Sequence, residues 1–139
     1  MPSAAVVLVN DKAEIRRIGE LAERFGAEQH LSDDDVMAIN LVLDELVTNI
    51  IEYGYDDDGR HEIRVSLTLE EGTLTVVIDD DARPFDPLQR PAPDLTLPLD
   101  ERPVGGLGIH IVRSVMDTVD YERRDGHNVL TMCKTIGRS

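Results

Sequence analysis

Glu45 and Asn49 stand four residues apart in a stretch whose apolar residues recur every three or four positions. One helical turn therefore brings a carboxylate and a carboxamide to the same side. With Val42 they form a row beside the apolar stripe, at the border between core and solvent. Such a pair offers a cation ligand and a proton acceptor. By spacing alone, an exposed polar pair on an amphipathic helix is the commoner outcome.

A second stretch, Val77-Ile78-Asp79-Asp80-Asp81-Ala82-Arg83-Pro84-Phe85-Asp86, runs an apolar strand into three acids and a proline-containing turn. A carboxylate at a strand end can accept from an amino group on a ligand base, and aspartates are also ordinary turn formers. A third stretch, Gly105-Gly106-Leu107-Gly108, opens an apolar-periodic segment. Glycines there let backbone N–H groups approach an anion at the positive end of a helix, or they serve as a hinge. No Gly-Lys-Ser/Thr follows, so it is not a Walker loop. A proline-rich stretch precedes it, and Ile111 sits where a dinucleotide fingerprint has its last glycine.

Other chemistry finds less support. His30, His61, His110 and His127 are scattered without metal spacing. Asp56, Asp58 and Gly59 begin like a calcium loop, but Leu67 stands at the position of the bidentate Glu. There is no Gly-x-Ser-x-Gly elbow.

The elements that must position these residues are legible in outline. Ala4 to Val9 reads as an edge strand, and Asp11 to Phe25 as a helix capped by Asp11 with Glu14 three positions on. Ser32 can cap the next helix, Asp33, Asp34 and Asp35 suit its positive end, and Val36, Ile39, Leu43, Leu46 and Ile50 form its stripe. Gly54 is expected to close it as a left-handed C-cap. Ile63 to Leu69 and Leu74 to Ile78 form a hairpin about Glu71-Gly72. Regularity is lost from Arg83 to Val104, a stretch holding six of the seven prolines. A helix from the glycine run through Met116 follows, then strands near Val119–Arg124 and Asn128–Lys134 about Asp125-Gly126. Hairpins imply a mixed or mainly antiparallel sheet covered on one face by helices, an α/β (α+β) two-layer sandwich.

Composition sets the outer limits. The 139 residues suit one domain, residues 1–139. The formal net charge of −14 lacks a nucleic-acid footprint and disfavours anionic membranes. The single cysteine, Cys133, cannot form an internal disulfide, and Met1-Pro2-Ser3-Ala4 does not resemble a leader, so a cytoplasmic, reducing location is expected.

Taken in order, Glu45-x-x-x-Asn49, Asp80-x-Ala82 and Gly105-Gly106-Leu107-Gly108 resemble the N, G1 and G2 boxes of the GHKL ATPase superfamily. Leu43–Asn49, Pro84–Pro87 and Gly106–Val112 are similar to one branch, the anti-sigma-factor serine/threonine kinases. The resemblance implies ATP and Mg²⁺ as cofactors, with Asn49 on the metal and Glu45 orienting or deprotonating the attacking hydroxyl. It implies that Asp80, with Ala82 beside it, accepts from the adenine amino group, and that Gly105, Gly106, Leu107 and Gly108 wrap the phosphates. Residues 83–104 would be the ATP lid, in which charge marks Arg90 and Arg102 as phosphate partners. It further implies a serine-bearing anti-sigma-factor antagonist as partner, a sigma factor as another, and a homodimer. The chain departs from the branch in having Ala82 where a glycine is usual, and its last strand lacks a clear Gly-Thr pair, so Asn128 receives no role. Ala82 is the feature favouring the alternative, a non-catalytic module that binds a partner with weak or no ATP binding.

Overall fold

The computed structural model describes residues 2–57, 59–84 and 106–136. Strand β1 (Ser3–Val9) leads through a 3-10 turn (Lys12–Glu14) into α1 (Arg16–Gln29) and α2 (Asp33–Tyr53). Strands β2 (Glu62–Glu70) and β3 (Thr73–Asp80) follow, then α3 (Gly106–Val115), β4 (Thr118–Arg124) and β5 (His127–Thr135). The five strands form one sheet in the order β1-β2-β3-β5-β4. All four pairings among the described residues are antiparallel, so the parallel component allowed for in a mixed sheet is not found.

Two tight turns set the register. Glu71 and Gly72 take φ of 51° and 77°, and Asp125 and Gly126 take 51° and 82°. Positive φ at both central residues matches the twist of the flanking strands. Each hairpin therefore closes with its first pair directly beside the turn, Glu70 opposite Thr73 and Arg124 opposite His127.

Strict alternation then sends Ile63, Val65 and Leu67 of β2, and Leu74, Val76 and Ile78 of β3, to one buried face. The helices bring Ile18 and Phe25 of α1, Leu43 and Val47 of α2 and Val112 of α3 onto it, making one apolar cluster. Among the described residues, no helix is long and apolar enough to cross a membrane.

Two expected helix ends differ. Asp11 caps the 3-10 turn, accepting from the Ala13 N–H at 2.9 Å, rather than capping α1. Glu14 does not complete a capping box. It accepts from the Val9 N–H at 3.2 Å and pairs with Arg17, which itself donates to the Val7 carbonyl. The end of β1 leaves those backbone groups unpaired, and they claim the side chains first. α1 also runs past Phe25 to Gln29, where His30 takes the left-handed cap at φ 59°. Ser32 behaves as expected, accepting from the Asp35 N–H at 3.1 Å.

Phe25 is 1% exposed at the centre of the interface between layers, whereas Val7 is 39% exposed on the edge strand. Phe25→Ala should lower the unfolding free energy in urea by about 3–5 kcal/mol. Val7→Ala should stay within about 0.5 kcal/mol of the parent.

Candidate functional site

The three acids at the end of β3 part company by strand geometry. Asp80 falls in the inward phase with Leu74, Val76 and Ile78 and is 3% exposed. Asp79 points to the other face and meets His127 Nδ1 at 2.6 Å. Asp81, past the strand, reaches Tyr55 and His61. Asp80 is thus the acid that faces the helical layer.

A carboxylate in that position must be compensated. Asp80 Oδ1 accepts from the Ala82 N–H at 3.0 Å and from Asn128 Nδ2 at 3.0 Å. Burial pushes the Asp80 carboxyl above its ordinary value; these two hydrogen bonds oppose the push, and the neighbouring Asp79 and Asp81 charges add to it. Among the described residues no buried polar side-chain atom lacks a partner. Asp80 Oδ2 is bonded by none of the described residues.

Asn128 lies directly across from Asp80 on β5, and Arg123 lies across from Asn128 on β4. The three polar side chains form one row over three adjacent strands. Asn128 Nδ2 also donates to the Arg83 carbonyl at 2.9 Å, and its Oδ1 accepts from the Tyr121 hydroxyl at 2.5 Å and Arg123 Nη1 at 3.1 Å. Arg123 Nη1 donates to the Ala82 carbonyl at 2.8 Å. The turn after β3 is held from both sides.

The same turn is tied to the end of α2. The Arg83 N–H donates to the Gly54 carbonyl at 3.0 Å, its guanidinium donates to the Tyr53 carbonyl, and it pairs with Asp56 at 3.4 Å. Gly54 is not a left-handed cap; its φ and ψ are −83° and −18°. Space explains the residue instead. A Cβ there would stand 2.8 Å from the Ala82 Cβ and 2.5 Å from the Ile50 carbonyl oxygen. The Ala82 methyl is buried against this bare helix end, and Ala82 is not among the residues with positive φ. Alanine at this position therefore needs no left-handed backbone.

Glu45 and Asn49 are half-buried on α2, flanking the buried Leu46 and Val47. Asn49 precedes Gly54 by five residues, about 7.5 Å of helix axis. The anchoring of Ala82 and Arg83 at that end brings the Asp80 turn to the helix bearing both residues. Gly106, Leu107 and Gly108 form the first turn of α3, which packs on α2. Gly105, Arg90, Arg102 and the stretch 85–104 lie outside the described residues. Arg83 and Pro84, expected to begin the lid, lie within them, and Arg83 is anchored as above.

Sequence reading missed the network that joins Asn128 to Tyr121 and Arg123. Its signal is a polar residue in phase with Leu130 and Met132 on an otherwise apolar strand face. It also missed a cluster beneath the turn, where His61 bonds Asp57 at 2.8 Å and Asp81 at 3.1 Å and stacks on Tyr55 with ring centroids 4.2 Å apart. The hydrogen bonds to Asp57 and then Asp81 raise the His61 pKa.

The histidine kinase-like ATPase domain family model matches residues 8–134. The serine/threonine-protein kinase BtrW of Bordetella bronchiseptica is 31% identical over 94 residues, 68% of this chain and 66% of that protein. The serine-protein kinase RsbW of Bacillus thuringiensis is 30% identical over 109 residues, 76% of this chain and 67% of that protein. The crystal structure of the RsbU and RsbW domains of a Mycobacterium tuberculosis protein superposes with a TM-score of 0.72 at 17% identity, covering 100% of this chain and 34% of that one. A blue-light activated histidine kinase of Erythrobacter litoralis gives a TM-score of 0.58 at 13% identity, covering 90% of this chain and 41% of that one. At those identities the solved structures speak to the fold. The alignments span about two thirds of these curated relatives and a third of the mycobacterial chain.

Two outcomes check this geometry. Gly54→Ala should cost about 1–3 kcal/mol in urea unfolding through overpacking. Adding Ala82→Gly should recover part of the loss and leave the part due to the Ile50 carbonyl. For His61, a folded pKa above the unfolded one gives stability that is full below the ordinary value and lost as pH rises through the raised value. The melting-temperature gap between the parent and His61→Ala should thus be widest near about pH 5.5 and narrow toward about pH 9.

Proposed function

This chain belongs to the histidine kinase-like ATPase domain family, and from that membership we propose that it binds ATP with Mg²⁺ and phosphorylates a serine of a partner protein. One observation carries the reading. The inward-facing acid of β3 is buried with one oxygen committed and the other bonded by none of the described residues, on a turn anchored to the helix that bears Glu45 and Asn49. The donor set fits a nucleotide. A carboxylate oxygen is the counterpart of an N–H on a base, and a helix starting at Gly106 leaves backbone N–H groups for an anion.

ATP with Mg²⁺ supplies the phosphoryl group and neutralises much of its charge. Asp80 accepts from the adenine amino group through Oδ2, with Ala82 closing the turn beneath. Asn49 offers its amide oxygen to the metal. Mg²⁺ takes few protein ligands and fills the remainder with phosphate and water, so one carboxamide is enough. Glu45, one turn away, accepts the proton of the attacking hydroxyl. Gly105, Gly106, Leu107 and Gly108 present backbone to the phosphates, with Arg102 as a cationic partner. On a chain of net charge −14, such local donors and the metal are what make a polyanion welcome.

The names of the kinases similar to this chain favour protein serine as acceptor. The partner proposed is an anti-sigma-factor antagonist, with a sigma factor as a second partner and a homodimer as the working form in the cytoplasm. The alternative is sequestration without catalysis, which calorimetric titration with ATP and Mg²⁺ separates, since absence of heat leaves only that reading.

Incubation with labelled ATP, Mg²⁺ and the antagonist should label a serine of the antagonist. Glu45→Ala should slow labelling by about 10²–10⁴-fold while nucleotide still binds. Asn49→Ala should remove the dependence of nucleotide affinity on Mg²⁺. Equal labelling by the parent and Glu45→Ala would rule out Glu45 as proton acceptor.

A further inference from the structure

We propose that Asn128 is the positioning residue of the base site, holding the Asp80 carboxylate and the turn after it so that Oδ2 alone is presented to the ligand. This rests on the nucleotide reading above and adds a residue to it.

Asn128 Oδ1 faces the Tyr121 hydroxyl at 2.5 Å and Arg123 Nη1 at 3.1 Å. Its Nδ2 faces three acceptors, Asp80 Oδ1 at 3.0 Å, the Arg83 carbonyl at 2.9 Å and the Ala82 carbonyl at 3.4 Å. A guanidinium has no acceptor, so a flipped amide would set N–H against N–H on one side and oxygen against three oxygens on the other. The network permits one orientation. Asn128 is 6% exposed and is, with Asp80, one of two buried polar or charged residues among those described. A rotated or absent amide therefore leaves Asp80 Oδ1 with only the Ala82 N–H.

The consequence is geometric. With Oδ1 held from two directions, the carboxylate plane is fixed, and Oδ2 is fixed with it. The same amide grips the carbonyls of Ala82 and Arg83, so base acceptor and turn move as one body. Tyr121 and Arg123 act through Asn128 and not on the ligand.

Several groups bear on the ionisation of Asp80. Asp79 and Asp81 flank it on its own strand, and Tyr55 is coupled to its charge from the segment after α2. Arg123 stands across from Asn128 on β4, while His61 and His127 pair with Asp81 and Asp79. Burial raises the carboxyl pKa and the Asn128 hydrogen bond opposes it. Base reading needs the ionised form, which is lost as pH falls through the raised value. Without Asn128 that loss should set in at higher pH.

The test is calorimetric titration of the full chain with Mg²⁺ and either ATP or purine riboside triphosphate, which lacks the 6-amino group and so offers Asp80 no donor. Both carry the same triphosphate, so their ratio cancels effects common to the two nucleotides. Asn128→Ala should weaken ATP by about 10- to 100-fold, the scale of a charge-assisted hydrogen bond. It should barely change the analogue, and should move the acid limb of the ATP-to-analogue ratio to higher pH. Tyr121→Phe keeps the packing and removes one donor to the amide, so it should shift the ratio the same way by a smaller factor and covers the case in which Asn128→Ala does not fold. Equal weakening of both nucleotides with an unmoved acid limb, or an unchanged ratio in Tyr121→Phe, would overturn the assignment. ATP binding by the parent that is no tighter than the analogue would overturn it together with the reading of Asp80, and no binding of either would overturn the nucleotide reading itself.

Discussion

A carboxylate withdrawn from water at the end of an apolar sheet face is the constraint around which this structure is arranged. Burying such a charge is costly unless donors meet it. Asp80 meets that demand with one backbone N–H from its own turn and one amide from the neighbouring strand. Both go to the same oxygen, so compensation and availability are divided within one side chain. The cost of burial is offset without closing the group to a ligand.

That division depends on a row that only antiparallel pairing could assemble. Asp80, Asn128 and Arg123 come from three strands, and each faces the next across the sheet. The turn beyond β3 inherits its position from the row on one side and from the end of α2 on the other. Gly54 matters in this second contact for the atom it lacks. By leaving room for the Ala82 methyl, it lets helix and turn approach closely enough for the Arg83 N–H to reach the Gly54 carbonyl at 3.0 Å. The helix bearing Glu45 and Asn49 and the strand bearing Asp80 are thus joined through backbone, which deforms less than side-chain contact.

The acidity of the chain takes on meaning beside this local chemistry. A surface of net charge −14 gives solubility and repels polyanions. The candidate site works against that field with short-range donors. His61 and His127 are each paired with an aspartate flanking Asp80, and the raised pKa of His61 favours a positive charge that partly screens the acidic triplet.

Much of this was legible in one dimension. Period-two alternation, the Glu71-Gly72 and Asp125-Gly126 turns and the Ser32 cap determined strands, hairpins and the long helix, because each rests on interactions between residues close in the chain. The order of the three polar boxes was legible for the same reason, since each is a local pattern. What only the tertiary structure decided were the contacts between distant segments. The sequence motif pointed to Asp80, but its burial came from the sheet's facing, and Asn128 was singled out by a partner 48 residues away. Gly54 was explained by a methyl group on another segment and not by its own torsion angles. Asp11 went to the 3-10 turn, and Glu14 to the Val9 N–H at the end of β1. Sequence periodicity specifies which way a side chain points relative to its own element. Which charge is buried, which amide compensates it and which glycine makes room depend on what arrives from elsewhere in the fold.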